Sequence, residues 1–222
     1  MGIVIAIDGP AGAGKSTIAR RVAAQLGYTY IDTGAMYRAV ALWALRRNLA
    51  VTDSHRMETL AAAAEIQLGT EPAAVLLNGE NVTEAIREPR VSEAASQVAT
   101  IPAVRHALVA KQRAIAGTAN VVMEGRDIGT VVFPDATLKI FLDADQSERV
   151  RRRAEQLGLA DPSPVLEQIA QRDRRDTGRA EAPLAQAPDA VYLDSTGLSI
   201  DQVADAILKL IRARVTNGKA HD

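Results

Sequence analysis

A lysine followed by a hydroxyl residue and entered through three glycines is suited to holding phosphate, and this chain carries that combination at Gly9-Pro10-Ala11-Gly12-Ala13-Gly14-Lys15-Ser16. The octet fits G-x-x-x-x-G-K-[ST] in full. The glycines let the main chain curl until several N–H groups face one anion. Lys15 supplies a cation, and Ser16 is placed to hold a Mg²⁺ ion together with the phosphates. Thr17 is read as a further phosphate donor rather than as an ordinary first-turn residue. The competing reading is a plain Gly-rich turn, which the flanks disfavour: a buried-type apolar run, Ile3 to Ile7, leads in, and a helical pattern starts at Lys15. The chemistry expected is nucleoside triphosphate binding.

Such a loop serves kinases, GTPases, motors and nucleotide-dependent switches alike. No Asn-Lys-x-Asp guanine-reading motif occurs, and large motors need more chain than 222 residues. A kinase for a small molecule fits. The histidines His55, His106 and His221 show neither pairing nor metal-ligand spacing and read as surface or structural residues. No serine-hydrolase elbow is present. A second charged constellation lies further on: Arg149, Arg151, Arg152 and Arg153 share one predicted helix, and Arg172, Arg174, Arg175 and Arg179 follow after a break at Gly158, Pro162 and Pro164. Together they look like a mobile basic flap. For each arginine alone, an i,i+4 pairing such as Glu148 with Arg152 makes a solvated helix face an equal contender.

These residues need a frame. Short apolar runs at 3–7, 28–31, 121–123, 138–142 and 191–193 read as strands buried on both faces. Helical patterns at 15–26, 35–47, 103–115, 147–157 and 200–212 lie between them. The alternation predicts an α/β fold with a parallel sheet covered by helices. Asp145 with Glu148, and Ser199 with Gln202, have capping-box spacing. Residues 49–101 break the rhythm with an Ala-rich helix near 56–65 and two short runs joined at Asn78-Gly79, a hairpin signal, and so read as an inserted subdomain. Asn81-Val82-Thr83 is a chance glycosylation sequon. The tail from Thr216 to Asp222 is polar and expected to fray.

Composition narrows the class. Lys and Arg number 26 against 27 Asp and Glu, so no global field draws nucleic acid or anionic membrane, and any anion site must be local. Aromatic residues are only 3% of the chain, too few for a base-stacking platform. With 47% hydrophobic residues the chain can bury one sizeable core. It has no cysteine, hence no disulfide or thiolate metal site, which fits a reducing compartment. The start is too short and too unbasic for a signal peptide, and no apolar run approaches membrane-spanning length, so the expected location is the cytoplasm.

Asp32-Thr33-Gly34-Ala35-Met36-Tyr37-Arg38 follows the second strand, at the sheet edge where open α/β folds place ligands. With residues 9–17 and Glu124-Gly125-Arg126-Asp127-Ile128-Gly129-Thr130, it resembles the bacterial cytidylate kinases. The likeness extends to Val91 through Val98, Phe133-Pro134-Asp135-Ala136 and Arg179 through Leu184. The resemblance implies a P-loop fold with a five-stranded parallel core (about 1–34, 102–147 and 177–222), an acceptor-binding insertion (about 35–101) and a short lid (about 148–176). It implies an enzyme acting on ATP and on CMP or dCMP; Mg²⁺ is expected from Ser16 and the chemistry, and a monomer with no nucleic-acid, membrane or protein partner is expected. Residues 9–17 and Arg149 would bind ATP. Arg38, Arg126 and Arg179 would grip the CMP phosphate, Ser96, Arg105 and Asp127 would face cytosine, and Asp176 the ribose, with Thr33 and Tyr37 beside them. Lys15, Arg126, Arg152, Arg153 and Arg179 would serve catalysis. Thr33 departs from the serine that many members carry, keeping the hydroxyl and adding a methyl.

Elementary chemistry agrees with that assignment. A carboxylate at Asp127 can accept from cytosine's exocyclic amine, where uracil offers a carbonyl. Arginine's planar fork gives paired, charge-assisted bonds to phosphate that lysine gives less well. The plain alternative for Arg126 and Asp127 is an ion pair capping a loop. A phosphate monoester's second pKa lies near about 6, so the nucleophile is largely ionised at neutral pH and no general base is needed. Competing expectations are a P-loop kinase for UMP, AMP or shikimate, and an ATP-dependent binding or switch module.

Overall fold

The computed structural model describes residues 2–69 and 74–218, with side chains as far as Arg214. His221 and the end of the polar tail lie outside the described residues. The chain divides into two compact units, one formed by residues up to Tyr30 together with those from Thr118 onward, the other by Ile31–Gly117.

Elements are numbered along the chain. The first unit is built on strands β1 (Val4–Asp8), β2 (Thr29–Asp32, which runs into the second unit), β6 (Val121–Gly125), β7 (Leu138–Asp143) and β8 (Val191–Asp194). Their order in the sheet is β2-β6-β1-β7-β8. β1 sits centrally, paired in parallel with β6 on one side and β7 on the other. That position explains its sequence: every residue from Val4 to Asp8 is buried, as a parallel strand covered on both faces must be. Helices α1 (Lys15–Leu26), α6 (Gln146–Leu157), α7 (Ser163–Thr177) and α8 (Ile200–Gly218) complete this unit. Ile5, Ile7, Leu138, Ile140 and Leu142 from the sheet pack with Ile18 and Val22 of α1 and with Val203 and Ile207 of α8.

The second unit holds α2 (Thr33–Arg46), α3 (Ser54–Ala63), α4 (Pro89–Val98), α5 (Pro102–Ala116) and a small antiparallel sheet of β3 (Ile66–Leu68), β4 (Val75–Leu77) and β5 (Glu80–Asn81). Its core gathers Met36, Val40 and Leu42 of α2 with Met57, Val91, Val98, Val104 and Leu108. The hairpin expected at Asn78-Gly79 forms between β4 and β5. Both turn residues have positive φ, 51° and 83°, as the two-residue turn matching strand twist requires. The sequon is taken up locally: Asn81 Oδ1 accepts from the Thr83 N–H at 3.0 Å and from its hydroxyl at 2.6 Å.

Three local expectations need correction. The Ser199–Gln202 box is reciprocal, at 2.9 and 3.2 Å, but Asp145 makes no side-chain cap on α6. Glu148 is drawn instead to Arg151 and Arg152, because two guanidiniums outbid one backbone N–H. The Asp145 N–H turns to the Thr196 hydroxyl at 2.8 Å. The break around Pro162 and Pro164 is only a short one: α7 begins at Ser163 with Pro164 in its first turn, where a missing N–H costs nothing. Lastly, neither α7 nor α4 was foreseen as a helix, although Pro89 opens α4 in the same way.

A Cβ at Gly79 would meet no atom within 4 Å, so Gly79→Ala isolates the cost of a positive φ. Chemical denaturation should show a loss of about 1 kcal/mol with no change in nucleotide binding.

Candidate active site

The phosphate loop lies between β1 and α1, and its shape follows from what surrounds it. Gly12 has φ 79°, and a Cβ there would fall 2.8 Å from the Arg149 carbonyl oxygen, so any side chain would collide with backbone. Lys15 is buried in the first turn of α1, donating from Nζ to the Pro10 carbonyl at 2.6 Å, while Ser16 and Thr17 are exposed beside it. Burial, then the nearby Arg126 guanidinium, push the Lys15 ammonium down to about 7, against the opposing pull of Glu124.

Two arginines of α6 reach this loop. Arg149 donates to the Ala11 carbonyl at 3.0 Å and to Asp173 of α7 at 2.5 Å. The other Asp173 oxygen accepts from the Ala11 N–H at 3.2 Å. Arg152 is held by Glu148 at 2.8 Å and by the Ser195 hydroxyl and carbonyl at 2.9 and 2.7 Å, and its guanidinium lies 3.5 Å from the Ala13 carbonyl. Arg153 bonds along its own helix to Gln156. Arg151 is exposed and paired with Glu148 and Glu155.

A second cationic cluster is organised by Asp176, which is only 1% exposed at the C-terminal end of α7. Arg126 donates to it at 2.7 Å, Arg179 pairs with its other oxygen, and Arg172 stands 3.9 Å away. Burial alone would raise the Asp176 carboxyl, but Arg126, Arg179 and Arg172 overcome it and hold the carboxyl below the usual range. Arg126 likewise stays firmly charged despite its burial, because Asp176 faces it. Beside this cluster runs the segment from Gly125 to Val132. Asp127, buried, accepts at its carbonyl from the Val131 and Val132 N–H groups. Asp8, at the end of β1, accepts from the Ile128 N–H at 2.9 Å and the Gly129 N–H at 2.8 Å. Burial pushes the Asp8 carboxyl up to about 6, with those two N–H bonds opposing.

The remaining acceptor candidates belong to the second unit. Asp32 caps α2 by accepting the Ala35 N–H at 2.9 Å and takes Arg38 on its other oxygen at 2.8 Å. Thr33, Ser96 and Arg105 are buried. The Arg105 guanidinium lies over the Tyr37 ring, 5.7 Å from its centroid, and donates to the Ala99 carbonyl at 3.3 Å. Thus Thr33, Tyr37 and Arg38 sit on α2, Ser96 on α4 and Arg105 on α5.

Sequence reasoning gave no role to the acidic partners Asp8, Asp173 and Glu124, nor to Ser195. Glu124, buried at the end of β6, accepts the Tyr30 hydroxyl at 2.5 Å. A signal was present for some of them: Arg172, Asp173, Asp176 and Arg179 have helical spacing that puts opposite charges within reach. For Asp8 the only hint was an acid closing an otherwise apolar strand.

The family model described as cytidylate kinase matches residues 5–213. The cytidylate kinase of Solibacter usitatus is 62% identical over 98% of this chain and 95% of its own, and that of Pelotomaculum thermopropionicum is 51% identical over 97% and 96%. Among solved structures, a gluconokinase from Sinorhizobium meliloti superposes with a TM-score of 0.51 at 14% identity, covering 100% of this chain and 98% of that one, a likeness of fold.

Lys15 generates a prediction about protons. Its amine, pushed down to about 7, is largely neutral at pH 8, and a polyanionic triphosphate favours the ammonium. Binding of ATP at pH 8 should therefore take up close to one proton, and affinity should fall as pH rises from 7 to 9. Calorimetry in two buffers of different ionisation enthalpy measures this; Lys15→Met should abolish the uptake.

Proposed function

The chain belongs to the cytidylate kinase family, and we propose that the residues described above are the working parts of that activity, with the phosphate loop holding ATP and the arginines of the Asp176 cluster facing the acceptor. The protein is a nucleoside monophosphate kinase, a transferase that moves the terminal phosphoryl group of ATP to CMP. One observation carries the assignment of parts. The first unit gathers two groups of cations, Lys15 with Arg149 and Arg152 around the phosphate loop and Arg126 with Arg179 on Asp176, the second near enough for Arg126 to act on the Lys15 ammonium. A nucleotide switch needs only the first.

In this reading, residues 9–17 and Arg149 cradle the ATP phosphates, and Arg38, Arg126 and Arg179 hold the phosphate of CMP or dCMP. Asp127, Ser96, Arg105 and Thr33 read the cytosine, with Tyr37 beside it. Asp176 serves the ribose with the lone pairs its arginines leave, since a carboxylate has about four acceptor sites. The acceptor phosphate attacks in line through a loose transition state whose charge spreads over the equatorial oxygens. Lys15, Arg126, Arg152, Arg153 and Arg179 are assigned to that charge. The lid, about 148–176, excludes water as it closes over the core, and the acceptor insertion is about 35–101.

The residues fit a magnesium ion of the kind such kinases use. Among the described residues no three His, Cys, Asp or Glu side chains gather into a cage. The exposed Ser16 hydroxyl would be the chain's contribution to holding it, with phosphate oxygens and water as the other ligands, as suits a small ion that dehydrates reluctantly. When bound, the ion neutralises charge on the transferring phosphates. No helix among the described residues is long and apolar enough to cross a membrane, and we assign a cytoplasmic monomer acting on small molecules only.

Assays of ADP release with Mg·ATP and CMP, dCMP, UMP, AMP, GMP or shikimate test the acceptor reading. Turnover should be strong with CMP and dCMP and weak with the others; equal use of UMP would remove the cytosine-reading role of Asp127. Arg126→Met should lower kcat/KM for CMP by about 10²-fold or more while ATP affinity stays within about twofold. Loss of ATP binding instead would assign Arg126 to the donor.

A further inference from the structure

Asp8 is a buried carboxylate with no place in the mechanism so far, and its surroundings are unusually specific. Its backbone is in register with Gly125 of β6, the residue just before Arg126. Its two carboxylate oxygens accept, one each, from the consecutive N–H groups of Ile128 and Gly129. Both ends of the short arch from Gly125 to Gly129 are thereby fixed on one residue, and the arch carries Arg126 and Asp127 at its top. From the far side, the stem of buried Lys139 lies against Gly129, where an added Cβ would stand 3.1 Å from it, and the Lys139 ammonium is tied to Asp189 at 2.7 Å. Asp8 is also followed directly by Gly9, the first residue of the phosphate loop. One rigid point in the central strand therefore serves both the donor loop and the arch.

The choice of an acid is not explained by packing. Asn would turn an N–H₂ toward one of two N–H donors, and an apolar residue would leave both unsatisfied in a buried place. Only an ionised carboxylate offers two acceptors at that spacing.

We infer that Asp8 is a positioning residue for phosphoryl transfer: it sets the distance and orientation of the arch bearing Arg126 and Asp127 relative to the phosphate loop. The inference rests on the acceptor roles given above to Arg126 and Asp127. A shift of about 1 Å in such groups costs as much as about 10²-fold in rate, so the effect of a misplaced arch falls on the acceptor side and on the transfer step.

The test compares Asp8→Asn and the charge-keeping Asp8→Glu with Arg126→Met. For both Asp8 variants, KM for CMP should rise about tenfold or more and kcat should fall. The preference for CMP over UMP should narrow, while Kd for ATP stays within about twofold. Amide hydrogen exchange should speed up at Ile128 and Gly129, and this readout needs neither substrate nor activity. A lowered melting temperature with unchanged kinetics well below it would overturn the inference and make Asp8 a structural residue. If Arg126→Met raises KM for CMP and the Asp8 variants do not, the inference fails and the acceptor assignment stands. If none of the three alters KM for CMP, the acceptor assignment fails and takes the inference with it.

Discussion

Like charges crowded into a buried place repel, and the first unit crowds Lys15, Arg126, Arg149, Arg152, Arg172 and Arg179 around one sheet edge. A protein that must grip phosphates needs that density, and the rest of the site follows from making it tolerable. The means is a set of carboxylates threaded among the cations: Asp176 between Arg126 and Arg179, Asp173 on Arg149, Glu148 on Arg152. Each pair orients a guanidinium at little entropic cost, because a planar fork held by two acceptors has few alternatives. Lys15 shows what happens where the compensation is weaker. Crowded by burial and Arg126, its ammonium is pushed down to about 7.

A second constraint comes from the backbone. Phosphate loops work by aiming N–H groups at an anion, and an N–H aimed at a ligand cannot also be satisfied by a helix or a sheet. The chain satisfies such orphan donors individually. The Ala11 N–H is taken by Asp173, and the orphan N–H groups opening the turn at 128–132 are taken by Asp8. Both acids accept from backbone with a geometry that places neighbouring functional groups, which joins the stability of the loops to the geometry of the site.

The second unit meets a different requirement. Its candidates sit on helices whose buried faces share one core, so Arg105 and Tyr37 are fixed by packing, with the guanidinium over the ring. Burying that cation costs less because a guanidinium is weakly hydrated and its flat face tolerates an aromatic surface.

The sheet, helices α1, α6 and α8 and the phosphate loop were legible from the residues, because buried parallel strands are continuous apolar runs and because each position in Gly9 to Ser16 answers a local demand of backbone or charge. Helix α1 runs over the expected residues, and the Asn78-Gly79 turn needed only its own two φ angles. The positions of Arg126, Asp127 and Arg179 were named through their resemblance to a family, and local pattern alone left them open to being ordinary ion pairs. Nothing local signalled that Asp8 would meet Ile128 and Gly129, 120 and 121 residues away, or that Asp173 would reach Ala11 across 162. Glu148 even misled, since its capping spacing was genuine and two arginines took it. Local structure follows from near neighbours in the chain, so the sequence by itself determined the elements and the donor loop. Which acid meets which cation depends on strands and helices brought together by burial, and only the tertiary structure decided that.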